Sequence, residues 1–248
     1  MSFSGSKVAM RLALWAVPVV LLALSVTSGS LASDPFSNFE RTYNPRGPAH
    51  LTISNMNGDI RVTAWDRKSI SVRARCAGNA TIDDQTNRDN IIVSVKRTLR
   101  LPRVDFEVSA PPETSLEIKN VMGRIEARGF AGHLSISSVD SPVRLQDIRS
   151  QSVDVKVTSG DVYFDGELAE GGLYSLQSIQ GDLDVTVPAS NPFNLNARAL
   201  SENINLGGFV KNLAGGSKGP KGIAGTYLNG GTKLTLTTYA GRILLHKR

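Results

Sequence analysis

The sequence predicts an all-β chain: a single-domain β-solenoid, a parallel β-helix-like stack of coils with a less regular N-terminal β cap. Three observations predict it. A phrase of the form apolar-x-apolar-x₄-Gly-x-apolar-x-apolar occurs about seven times, five of them with the glycine intact. Between Leu116 and Leu195 the copies begin roughly every 20 residues, a spacing that marks stacked structural units. Within each half of the phrase the apolar residues alternate, the period of a strand with one face buried.

Aligned on the glycine, the copies form columns. The corner column is Gly58, Gly123, Ser141, Gly160, Gly181, Glu202 and Gly241. Seven residues before it stand Leu51, Leu116, Leu134, Val153, Tyr174, Leu195 and Leu234; five before it, Ile53, Ile118, Ile136, Val155, Leu176, Ala197 and Leu236. Two after it stand Ile60, Ile125, Val143, Val162, Leu183, Ile204 and Ile243; four after it, Val62, Ala127, Leu145, Phe164, Val185, Leu206 and Leu245. Each copy is therefore a strand, a tight corner that suits glycine, a second strand and a return loop. One copy cannot bury its apolar face alone, whereas a stack with parallel pairing between copies can. Ser141 and Glu202 break the glycine column, so those two corners are expected to be wider. Three residues before the corner, Asn55, Asn120, Ser138, Ser178 and Thr238 form a polar ladder interrupted by Val157 and Ala199. Its expected role is structural.

The two ends depart from this pattern. Residues 36–115 are less regular than the coils over 116–248. ISVRARC, IIVSVKRTL and VDFEVSAP alternate like strands, and the polar stretch between the first two, GNATIDDQTNRDN, reads as a surface loop. They are expected to pair partly antiparallel and to cap the stack, because open ends expose unpaired strand edges. The final copy is expected to form the opposite end, with the basic tail His246-Lys247-Arg248 guarding it. Leu234 follows Leu195 by 39 residues, about one coil too many, and the span includes GGSKGPKGIAGTYLNGG. The glycines predict a long loop or a distorted coil.

Residues 1–32 have the order of a secretory signal: Lys7 and Arg11, an apolar run over 12–26 interrupted by Pro18, then small residues with Ser30 and Ala32 at the −3 and −1 positions. The alternative is an uncleaved anchor. No other segment is apolar enough to span a bilayer. The expected location is therefore exported: periplasmic, outer-envelope or secreted. The one cysteine, Cys76, cannot form an internal disulfide, and its place in ISVRARC predicts a buried thiol; a reactive or intermolecular thiol is the alternative. The formal charge is +6, and removing Lys7 and Arg11 leaves +4. Basic residues gather at Lys96, Arg97, Arg100 and Arg103, at Lys211, Lys218 and Lys221, and at the C-terminus. In an exported chain such clusters suit anionic envelope polymers, anionic glycans or lipid headgroups, not nucleic acid, unless they are ordinary solvated surface.

Chemistry-bearing motifs are sparse. His50, His133 and His246 have no neighbour at metal-ligand spacing, and there is no G-x-S-x-G elbow, phosphate loop or Cys-His pairing. No catalytic residue, cofactor site or metal site is assigned. Two groups of residues are the site candidates. Just after the corner, Asp161 and Asp182 would lie about 4.8 Å apart in a parallel stack, bordering Asn203. Paired carboxylates on one face can bind calcium or act as acid and base, and aspartate after a glycine corner is also ordinary turn chemistry. The second candidate is the inserted segment, with Lys211, Lys218, Lys221 and Tyr227, since binding residues concentrate on loops held by rigid scaffolds.

Three stretches resemble one family. LTISNMNGDIRVTAWDRKSISVRA, with its Asn-x-x-Gly-x-Ile phrase and the Trp65-Asp66 pair, resembles the opening of the bacterial putative-adhesin domain of unknown function. VDFEVSAPPETSLEIKNVMGRIEA and TYLNGGTKLTLTTYAGRILL resemble its central and C-terminal segments, and the match covers roughly 36–248. The resemblance implies an exported, envelope-associated β-solenoid and no catalytic residues. The expected function is a non-enzymatic binding, adhesin-like or structural module that meets an envelope polymer, an anionic glycan or another envelope protein. The alternatives are a polysaccharide-active β-helix enzyme using Asp161 and Asp182, or an envelope-signalling partner. N-terminal sequencing of the exported protein is expected to return Ser33; recovery of Met1 would establish the anchor instead.

Overall fold

Alternating apolar residues become strands throughout the chain. The structure, a computed structural model, describes residues 36–78, 80–96, 101–219 and 221–248. The expected signal over 1–32 lies outside the described residues, as do Arg97, Arg100 and the side chain of Lys218. In chain order the strands are β1 (Phe36–Tyr43), β2 (His50–Ser54), β3 (Ile60–Ala64), β4 (Ile70–Ala77), β5 (Ile82–Asn87), β6 (Asn90–Val95), β7 (Val104–Ala110), β8 (Ser115–Met122), β9 (Ile125–Arg128), β10 (Leu134–Asp140) and β11 (Val143–Ile148). There follow β12 (Ser152–Ser159), β13 (Val162–Gly166), β14 (Leu173–Gln180), β15 (Leu183–Val187), β16 (Phe193–Ala199), β17 (Ile204–Asn205), β18 (Leu213–Gly219), β19 (Gly222–Tyr227), β20 (Thr232–Ala240) and β21 (Ile243–Lys247). A 3₁₀ helix, Gly207–Asn212, links β17 to β18. No helix among the described residues is long and apolar enough to cross a membrane.

These strands form two facing sheets. The first runs β1-β4-β7-β3-β9-β11-β13-β15-β21-β17, and the second β18-β19-β16-β20-β14-β12-β10-β8-β2-β6-β5. Each coil gives the second sheet its first strand and the first sheet its second, so the core is the slab between them. Parallel pairing keeps the expected register: Leu116 beside Leu134, Leu134 beside Val153, and Val153 beside Tyr174. The inward columns are buried almost without exception, Ile204 at the sheet edge being half-buried. Full burial of each such side chain is worth roughly 1.5–3 kcal/mol. Cys76 is buried too, on β4, as its alternation predicts.

The corner glycines are required by the neighbouring coil. A Cβ at Gly123 would lie 2.2 Å from the Gly58 carbonyl oxygen; at Gly181, 2.1 Å from that of Gly160; at Gly241, 2.0 Å from that of Gly181. Gly58 and Gly123 also have φ of 124° and 114°, which other residues resist. The polar ladder completes the corner from inside. Asn120 Nδ2 donates to the Gly58 carbonyl (3.3 Å), Ser178 Oγ to that of Gly160 (2.9 Å) and Thr238 Oγ1 to that of Gly181 (2.9 Å). These side chains are buried, so each donation satisfies a buried hydroxyl or amide while it holds the neighbouring corner carbonyl.

Several expectations at the ends are corrected. The N-terminal part contributes a further coil, β6 with β7: Ile91 pairs with Leu51, and Phe106 with Ile60. Val104 takes its corner position. It needs no glycine because the coil lies outermost, and no corner carbonyl sits beneath it. Antiparallel pairing at this end is as expected for β4 beside β7, and β1 adds outside β4; β5, on the second sheet, corrects the reading of GNATIDDQTNRDN as a surface loop, because Ile82–Asn87 pairs antiparallel with β6. At the other end the last copy is not outermost. β20 lies between β14 and β16, and β21 between β15 and β17. Leu234, Leu236, Ile243 and Leu245 are all fully buried there, whereas the coil with Ala197 and Glu202 takes the end, where its second strand shrinks to two residues.

The C-terminal tail therefore guards no edge. Lys247 lies over Phe209 and Tyr227, at 4.7 and 5.2 Å from their ring centres, and Arg248 pairs with Asp165 at 3.1 Å. Nor is the insertion a long loop or a coil. It is the 3₁₀ helix and the β18–β19 hairpin, with β19 antiparallel to β16. The two irregular corners also differ from expectation. Ser141 keeps the register on both sides and turns its hydroxyl inward to Asn120 and Ser138. Glu202 adopts φ 61°, and the neighbouring Ser201 hydroxyl donates to the Gly241 carbonyl.

Gly123→Ala is expected to cost ~3 kcal/mol or more in urea unfolding, since the coil spacing cannot absorb the new Cβ. Gly215→Ala, where φ is 65° but nothing lies within 4 Å, is expected to cost about 1–2 kcal/mol. Equal losses at the two sites would count against the close-approach explanation.

Candidate functional surface

The residue after each corner points along the edge where the two sheets meet. In spatial order this column is Asp105, Asp59, Arg124, Pro142, Asp161, Asp182, Arg242 and Asn203, as the strand order dictates. Its carboxylates staple one coil to the next. Asp59 N–H donates to Asp105 Oδ1 (2.9 Å), Arg124 N–H to Asp59 Oδ1 (2.9 Å), Asp182 N–H to Asp161 Oδ1 (2.8 Å) and Arg242 N–H to Asp182 Oδ1 (2.8 Å).

Asp161 and Asp182 are thus brought together on adjacent coils, as their spacing predicts. Asn203 does not border Asp182, because the coil of Arg242 is inserted between them. The Arg242 guanidinium closes on Asp182, with Nε at 3.0 Å and Nη2 at 2.5 Å from Oδ2. This hydrogen bond holds the Asp182 carboxyl below its ordinary value, against a smaller opposing effect of burial. A general acid needs the opposite shift. Both Asp182 oxygens already accept hydrogen bonds, and so does Asp161 Oδ1. Among the described residues no group of three or more His, Cys, Asp or Glu side chains is placed to hold a metal ion.

The inserted-segment candidates separate. Lys211, in the 3₁₀ helix, and Lys221, in the β18–β19 turn, are exposed. Tyr227 is buried instead. It lies opposite Phe193 on β16, stacks on that ring at 5.1 Å, meets Phe209 edge-on at 4.8 Å, and donates its hydroxyl to the Ala189 carbonyl (2.9 Å). Once β19 pairs in the sheet, its alternation turns Tyr227 inward, which a loop assignment could not foresee.

A feature the sequence reasoning missed lies two residues before the corner. In spatial order this outward column is Met56, Val121, Val139, Thr158, Ile179, Tyr239 and Leu200. Val139, Ile179, Tyr239 and Leu200 are 51%, 42%, 46% and 46% exposed, while Met56 and Val121 are half-buried. With coils about 4.8 Å apart, the stripe is roughly 30 Å long, and Thr158 is its one polar member. The signal was available, since apolar residues recur at that position in six of the seven copies.

Different chemistry flanks the stripe on each side. The first sheet's outer face carries a ladder of alternating charge: Glu40–Arg73 at 2.9 Å, Arg61–Glu107 at 4.0 Å and Arg61–Glu126 at 3.0 Å. It continues to Arg144, whose guanidinium lies 4.7 Å from the centre of the Tyr163 ring. A shallow groove runs from Arg124 and Arg144 past Asp161 and Asp182 to Leu244. The second sheet's outer face is rich in hydroxyl and amide groups, among them Ser135, Ser137, Ser175, Gln177, Thr235 and Thr237.

The Asp182–Arg242 contact makes a prediction about acid stability. Because Asp182 has a lowered folded-state value, its contribution is complete above about pH 4 and is lost as pH falls through that value. The pair is largely solvent-facing, so Asp182→Asn is expected to cost about 1 kcal/mol or less at pH 7. The difference between variant and wild-type urea midpoints should shrink between pH 5 and about pH 2; a constant difference would contradict the ion-pair assignment.

Comparison with known proteins bears on the fold. No family model matches the chain, and no curated protein matches it. Among solved structures, a putative cell adhesion protein from Clostridium sporogenes matches 86% of this chain and 100% of its own, at TM-score 0.53 and 11% identity. A putative adhesin from Bacteroides fragilis matches 86% of this chain and 97% of its own at TM-score 0.38 and 11% identity. One from Parabacteroides distasonis matches 61% and 79% at TM-score 0.24 and 9% identity. The Clostridium likeness is one of fold, and that fold is the one implied by the sequence's resemblance to bacterial putative-adhesin domains.

Proposed function

We propose that the chain is an exported, non-enzymatic binding module of the cell envelope or surface. It engages an elongated partner laid along the coil axis. The observation that carries this reading is the exposed apolar stripe from Met56 to Leu200. Scattered exposed apolar residues are ordinary, but a contiguous patch rimmed by polar groups marks an interaction surface. A linear surface with one group every coil suits a linear partner: an envelope polymer, an anionic glycan or an extended stretch of another envelope protein. The charged groove on one side and the hydroxyl-rich sheet on the other supply hydrogen-bond donors and acceptors for its polar parts. The shared fold with a Clostridium protein described as a putative cell adhesion protein is in keeping with this reading.

The test is retention on cell-envelope fractions. A triple variant, Val139→Ser with Ile179→Ser and Tyr239→Ser, is expected to lose about tenfold or more in binding, with an unchanged circular dichroism spectrum. Asp161→Asn is expected to bind like wild type, and the bound polymer to be recovered uncut. Full binding by the triple variant would remove the stripe from consideration, and wild-type cleavage that Asp161→Asn abolishes would establish the enzyme reading.

A further inference from the structure

The two ends of the stack are stepped in opposite senses. Beyond the β6–β7 coil the first sheet carries two more strands, β4 and β1, and the second sheet one, β5. Beyond the β16–β17 coil the second sheet carries two more, β19 and β18, and the first none. There the first sheet stops at the two-residue β17, with the 3₁₀ helix packed against β21. One end thus projects in the first sheet and the other in the second, so the foot of one copy can overlap the head of another.

Strand direction is compatible with this overlap. β18 is antiparallel to β19, which is antiparallel to β16, so β18 runs with the coil strands. β5 is antiparallel to β6, which is parallel to β2, so β5 runs against them. When two copies lie end to end on one axis, β18 of the first and β5 of the second are antiparallel neighbours in one sheet. Their lengths are close, seven and six residues. Neither strand contains proline, the residue that most directly blocks an edge.

Charge selects the same pairing. β5, IDDQTN, carries Asp83 and Asp84 and no basic residue. Asp84 is tied to Tyr43 (3.1 Å) and Arg41 (3.4 Å), while Asp83, which accepts a hydrogen bond from Gln85 (3.3 Å), lies on the opposite side of the strand. The β18 end carries the exposed Lys211 and Lys221. Two β5 edges repel each other and two β18 edges repel each other, while the unlike edges attract. Single-sign edges of this kind prevent pairing with their own kind.

We infer that copies of this chain associate head to tail, with β5 of one adding antiparallel to β18 of the next and the second sheet continuing through the joint. Such a contact is heterologous and open-ended, so it builds rods, not closed dimers. Each added copy extends the stripe-bearing edge by another molecule.

Sedimentation velocity over a concentration series of the purified chain tests this. The expected result is a set of species that grows past dimer with concentration and retreats at high salt. Asp83→Lys alone, and Lys211→Glu with Lys221→Glu alone, are each expected to weaken association about tenfold or more through like-charge contact. An equimolar mixture of the two variants is expected to restore it, because each then offers the other a complementary edge; this recovery separates the proposal from simple misfolding. A monomer at every concentration, a species that stops at dimer, or growth that both variants retain undiminished would overturn it.

Discussion

The stack depends on one close approach. At each regular corner the carbonyl oxygen of one coil lies where the Cβ of the next coil's corner residue would be, and glycine alone leaves the space. This contact fixes the parallel register, and the register places the apolar columns side by side in the slab. The buried Asn, Ser and Thr side chains three residues earlier act on the same carbonyls. Each such hydrogen bond is worth about 1 kcal/mol net, while a buried hydroxyl or amide left unsatisfied there would cost roughly 1–3 kcal/mol. The polar ladder is thus part of the corner and not an accessory to it.

The same contact explains one place where the repeat fails. Val104 can carry a side chain at its corner because no corner carbonyl lies beneath it on the side that each corner Cβ faces. The other two departures are solved differently: Glu202, which follows Gly241 in the stack, turns to φ 61° while the Ser201 hydroxyl donates to the Gly241 carbonyl, and Ser141, inside the stack, hydrogen-bonds inward to Asn120 and Ser138. The ends solve the edge problem with antiparallel strands, which the coil repeat does not encode. Tyr43 and Arg41 reach from the first sheet to Asp84 on the second and close the slab at one end. Phe193, Phe209 and Tyr227 close it at the other with a cluster of rings beneath Lys247.

A core specified by four inward columns leaves the outward residues free to vary, and here they sort by face. The first sheet is salt-bridged, the second mixes hydroxyl groups with ion pairs such as Lys119–Glu117 and Lys156–Asp154, and the column two residues before the corner is apolar. Exposed ion pairs on a ladder of this kind contribute little to stability individually. Their effect is to keep one broad face hydrated and unattractive to apolar neighbours. That leaves the stripe as the least hydrated part of the regular surface. Asp161 and Asp182 fit this division as well: their carboxylates are engaged in backbone and guanidinium contacts between coils.

By itself the sequence determined the coil. Period-two alternation, the glycine corners and the four columns from Leu51 to Leu245 are local signals, because each follows from which side chains one strand must hide and how tightly one corner must turn. The stripe was equally local and was legible in Val139, Ile179 and Tyr239, though only as a column of outward residues and not of core. Other features were settled by tertiary structure alone. The chain passes over one strand position after β15 and fills it later with β20 and β21, so Arg242 and not Asn203 stands beside Asp182. Tyr227 turns inward only because β19 pairs with β16. Such outcomes rest on contacts between residues far apart in the chain. The energy that decides them is the burial of a whole coil, such as Leu234 to Leu245, in preference to another, and no short stretch of sequence contains that comparison.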